Sequence, residues 1–159
     1  MQKILLISCD SIPFCHLIAQ SLCDRFDRIL LIGVNDFQKF IYSALGKDNP
    51  TGEPRKQLHG IGIEGAVATA AAANKAQYGA IIIDQLISKD IFSNYRDSFY
   101  KHGIKEINIV SVCSEDNPSR LNTETLGQVA LEYSNENEHL HIADLIQDLI
   151  GRGETSFAL

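Results

Sequence analysis

The 159 residues contain no basic run, no long apolar run and no C-x-x-C pair, and each absence removes a class of function. Nucleic acids and anionic membranes reward clustered Lys and Arg, whereas this chain carries a formal charge of −6. Neither is expected as a partner. Apolar stretches such as 29–32 and 79–83 are far too short to cross a bilayer. The first residues run straight into Ile4–Ile7 without a basic region or a small-residue cleavage site, so no export signal is expected. The four cysteines then fit a reducing cytoplasm better than a disulfide framework. What is present is ordinary for a soluble domain: 45% apolar and 21% charged residues, in a length that suits one core.

Four short runs without polar alternation read as strands covered on both faces: KILLIS (Lys3–Ser8), RILLIG (Arg28–Gly33), AIIID (Ala80–Asp84) and EINIVSV (Glu106–Val112). A fifth strand is expected at His139–Ile142. Helices are expected from Pro13 to about Cys23, over Asp36–Leu45, from about Ile63 through the alanine-rich AVATAAAANKAQ, over Ile91–His102, over Leu121–Tyr133, and ending near Ile150. Gly46–Gly60, with Pro50 and Pro54, reads as a loop. The alternation predicts a three-layer α/β/α domain over 1–150 with a mostly parallel five-stranded sheet, and a C-terminal tail over 151–159.

A flavodoxin-like or Rossmann-like order is the alternative, but two helices and a proline-bearing loop separate Gly33 from Ala80. That insertion resembles the substrate-binding segment of P-loop small-molecule and nucleotide kinases, especially the branch of chloramphenicol phosphotransferase and zeta-toxin-like kinases. IGVNDFQKFIYSAL (Ile32–Leu45) resembles their acidic strand end and substrate-facing helix. AIIIDQL (Ala80–Leu86) resembles a strand ending in a Walker-B-like aspartate, and CSEDNPSRL (Cys113–Leu121) stands where the family has an arginine-bearing lid. The resemblance implies a P-loop-kinase-like strand order.

The phosphate loop departs from the family. G-x-x-x-x-G-K-[ST] supplies curling amides, a lysine charge and a hydroxyl for Mg²⁺. Here CDSIPFCH places Cys9 and Phe14 at the glycines, Cys15 at the lysine and His16 at the hydroxyl, with Asp10 and Ser11 between. Phosphoryl transfer relies mainly on positioning and charge stabilisation, which this loop lacks.

Each candidate residue has two readings. Asp84, at a carboxyl strand end, either orients Mg²⁺ or water, or caps the next helix. Asp36, beside Asn35, is either a general base toward a substrate hydroxyl or an N-cap. Cys9, Cys15, His16 and Cys113 suit zinc or a redox pair by ligand type, against a reading as small buried hydrophobes. Arg120 either contacts an anion or is solvated, and His139 and His141 read as solvated. The leading expectation is a kinase-like pseudo-enzyme or regulatory domain binding a small molecule or a protein, with no resident cofactor. Its cleft is lined by Cys9–His16, Asn35, Asp36, Asp84 and Cys113. The alternative is an atypical P-loop phosphotransferase, using Mg²⁺ with a nucleotide and acting on a small hydroxylated molecule or a nucleotide.

Overall fold

The computed structural model describes residues 3–37, 39, 52–85, 87–117 and 129–159. The four apolar runs form β1 (Ile4–Cys9), β2 (Ile29–Gly33), β3 (Gly79–Gln85) and β4 (Glu106–Ser114), joined by β5 (Val129–Tyr133) and β6 (Ser156–Ala158). Between them lie α1 (Ile12–Cys23), α2 (Glu53–Lys75), α3 (Lys89–Lys101) and α4 (His139–Arg152). The strand order is β2-β3-β1-β4-β5, all parallel, with β6 antiparallel to the start of β4. β1 lies between β3 and β4, with Ser8 beside Asp84 and Cys9 beside both Gln85 and Val112. Neither the flavodoxin-like nor the Rossmann-like order has this arrangement. No helix among the described residues is long and apolar enough to cross a membrane.

Because side chains alternate along a strand, each central strand feeds two cores. Leu6, Ile82 and Ile109 pack with Val67 and Ala70 of α2 and with Tyr95 and Phe99 of α3. Leu5, Ile7, Ile81 and Val110 pack on the other face with Ile18 and Leu22 of α1 and Ile142 and Ile146 of α4. Burial on both sides explains why these strands read as unbroken apolar runs. The small residues of α2 let it lie close: a Cβ on Gly65 would stand 2.7 Å from the Phe37 ring.

Three expectations are corrected. The fifth strand is not at His139–Ile142, which opens α4; Ile142, Ala143, Ile146 and Leu149 continue a buried helical stripe. It is Val129–Tyr133, at the end of the segment expected as helix. Among the described residues the sheet has six strands rather than five, because Gly153 (φ 75°) ends α4 and residues of the expected tail pair with β4. α2 also starts ten residues early, at Glu53, since Pro54 suits a first helical turn. Residues 34–37 are helical; the rest of the expected 36–45 helix, apart from Lys39, and residues 46–51 and 118–128 lie outside the described residues.

Candidate functional site

Only Asp10 and Ser11 join β1 to α1. Ser11 is an extended N-cap (φ −126°, ψ 105°) whose Oγ accepts from Phe14 N at 3.4 Å. Its carbonyl accepts from Cys15 N at 3.0 Å, and Asp10 N donates to Val112 O at 3.3 Å. Pro13 has no N–H. The helix therefore starts where a phosphate loop would still be curling, and the amides of Asp10, Phe14 and Cys15 already have carbonyl or hydroxyl acceptors.

The side chains of this junction turn inward. Phe14 is fully buried, with its ring centroid 4.0 Å from that of Tyr133. Asp10 Oδ2 accepts from Ser114 N and Asn117 Nδ2, both at 2.8 Å, and its Oδ1 accepts from Tyr133 Oη at 3.0 Å. One carboxylate thus ties together the ends of β1, β4 and β5. Burial, reinforced by this hydrogen bond and the Asp10 charge, pushes the Tyr133 phenol up to about 12.

Cys9 and Cys15 are joined by a disulfide, which departs from the reduced thiols expected from the sequence. The immediate helix start accounts for it, since the first turn of α1 brings residue 15 back over the end of β1, with Cα atoms 6.5 Å apart. Cys113 is free and lies on the opposite face of the sheet from Val112 and Cys9. Burial first, then the Asp10 and Glu132 carboxylates, raise its thiol to about 11. The structure does not bring Cys113 to Cys9 and Cys15, and among the described residues no three metal-ligating side chains form a group.

Asp36 and His16 both lie beside Gly33. Asp36 Oδ2 would stand 2.7 Å from a Cβ on Gly33, and His16 Nε2 would be 3.9 Å from that same point. Asp36 also pairs with Lys39 at 3.2 Å. Because residue 34 is already helical, Asp36 is inside the first turn and is not the N-cap. Asn35 is half-buried in that turn, and Arg120 lies outside the described residues.

Asp84 is 1% exposed, on the face covered by α2 and α3. Its Oδ2 accepts from Tyr95 Oη at 2.6 Å and contacts His59 Nε2 at 2.8 Å, while its Oδ1 accepts from Gln85 N at 2.8 Å. Burial, then the Asp84 charge, hold the Tyr95 phenol well above its ordinary value, so it stays a donor. His59 and Tyr95 escaped the sequence reading. His59 fell in the expected loop; once α2 is extended, it heads the stripe His59, Ile63, Ala66, Ala70, and a histidine on a buried stripe is the signal. Tyr95 sits likewise between Phe92 and Phe99.

No protein-family model matches the sequence, and no curated protein matches it. Solved structures do match in fold. The Deinococcus radiodurans tunicamycin resistance protein is 12% identical with a TM-score of 0.64, over 94% of this chain and 96% of that one. A putative kinase from Chloroflexus aurantiacus is 11% identical with a TM-score of 0.62, over 95% and 97%. The Mycobacterium tuberculosis APS kinase is 11% identical with a TM-score of 0.58, over 94% and 96%. Across nearly its whole length, the chain has the fold of the P-loop kinases.

Proposed function

We propose that this chain is a kinase-like binding domain that has lost the ordinary triphosphate cradle. It holds a small molecule or a protein partner above the carboxyl ends of its strands. One observation carries the reading: two residues, Asp10 and Ser11, replace the long glycine loop, and the amides of Asp10, Phe14 and Cys15 are already bonded. A phosphate cradle needs free, convergent N–H groups and a fixed cation, and here a cysteine stands at the lysine position. Mg²⁺ fits poorly too. The Asp84 carboxylate is buried and engaged by three donors, and no hydroxyl stands at residue 16.

Calorimetric titration with ATP and GTP, with and without Mg²⁺, tests this. The reading predicts no saturable heat at micromolar nucleotide. Micromolar Mg²⁺-dependent binding, about −8 kcal/mol, that Asp84→Asn weakens favours a working phosphotransferase instead.

A further inference from the structure

Asp84 sits among three donors that do not have equal access to solvent. Tyr95 is fully buried and the Gln85 N–H belongs to the strand end, whereas the His59 side chain keeps 22% of its surface exposed. His59 Nε2 faces the carboxylate at 2.8 Å. Its Nδ1 has no hydrogen-bond partner among the described residues. A carboxylate that accepts Nε2–H fixes the tautomer and leaves the Nδ1 lone pair as the acceptor. Tyr95 and the Gln85 amide hold that carboxylate still, so the ring direction is fixed from behind.

We propose that His59, oriented by Asp84, is a hydrogen-bond acceptor of this cleft, its Nδ1 receiving the hydroxyl of a small ligand held above the carboxyl ends of β1 and β3. No covalent bond changes: the ligand O–H donates to the Nδ1 lone pair and keeps its proton. Asp84 is then a positioning residue, and Tyr95 a fixed donor behind it. The inference goes beyond the binding-domain reading and does not depend on nucleotide affinity. A clamp between α2 and the sheet would also use the Nε2 bond, but it would not need a reactive Nδ1.

The test is diethyl pyrocarbonate labelling of the full chain, followed residue by residue by mass spectrometry. His141, exposed on α4, is the internal control. His59 is expected to react at least about ten-fold faster than His141, and Asp84→Asn is expected to bring it to the control rate. A His59 rate equal to or below that of His141, or one indifferent to Asp84→Asn, overturns the proposal. If Asp84→Asn does not fold, the wild-type rates decide alone, because a clamp shares the Nε2–H tautomer: a His59 rate at or below that of His141 overturns the proposal.

Discussion

The ring of Phe14 rests 4.0 Å, centroid to centroid, from that of Tyr133, whose hydroxyl donates to Asp10 at 3.0 Å. Phe14 occupies the position of the second glycine in a phosphate loop, and Asp10 lies two residues before the helix. Residues that would surround a phosphate instead fasten β1 to β4 and β5.

Asp10→Ala should therefore destabilise the domain by about 2 to 3 kcal/mol, because the Ser114 N–H and the Tyr133 hydroxyl lose their acceptor. Chemical denaturation measures it. A change below about 0.5 kcal/mol, the size of an ordinary surface substitution, contradicts the fastening role.

Alkaline stability should depend on the same tyrosine. Its folded value of about 12 lies above the ordinary 10, so the stabilisation it gives is complete below pH 10 and is lost as pH rises toward 12. Tyrosinate absorbance should show Tyr133→Phe removing a late-titrating group. An unchanged titration curve contradicts this.

At the acid end, Glu64 is held at about 2 by Lys101, then by Ser98 and His102, across the α2–α3 contact. That contribution is present above about pH 4.5 and is lost as pH falls toward 2. Its side chain is 40% exposed, so solvent screens the effect and Glu64→Gln should flatten the acid limb only modestly. An acid limb identical to wild type rejects it.

Two glycines of α2 should respond oppositely to alanine. A Cβ at Gly60 meets nothing within 4 Å, so Gly60→Ala should stabilise by up to about 1 kcal/mol. At Gly65 it meets the Phe37 ring at 2.7 Å, and overpacking of about 1 to 3 kcal/mol outweighs that gain. Thermal melts of both variants measure the signs, and a stabilised Gly65→Ala contradicts the packing described.

The disulfide predicts a labelling pattern. Tryptic cleavage after Lys3 and Arg25 releases residues 4–25, which hold Cys9, Cys15 and Cys23. Alkylated without reductant, that peptide should carry a single label, on Cys23. Three labels contradict the Cys9–Cys15 bond.

Four strands were legible because burial on both faces leaves unbroken apolar runs such as Leu5–Ile7 and Ile81–Ile83, while their order was implied by the resemblance to P-loop kinases. β5 was not, since an edge strand such as VALEY, only partly buried before Tyr133, lacks that signature. β6 was missed because three residues pair only after Gly153 reverses the chain. Among site residues, the broken phosphate loop was visible in Phe14 and Cys15, but its replacement by a two-residue cap was not. Asp84 stood out at a strand end. Its partners His59 and Tyr95 did not, because they come from distant helices and meet only through tertiary packing.

Backbone amide NMR of residues 9–16 during addition of Mg²⁺-ATP tests the central claim most directly. The account predicts that the amides of Phe14 and Cys15, held by Ser11, keep their positions through millimolar nucleotide. Saturable shifts of those amides at micromolar nucleotide would contradict it.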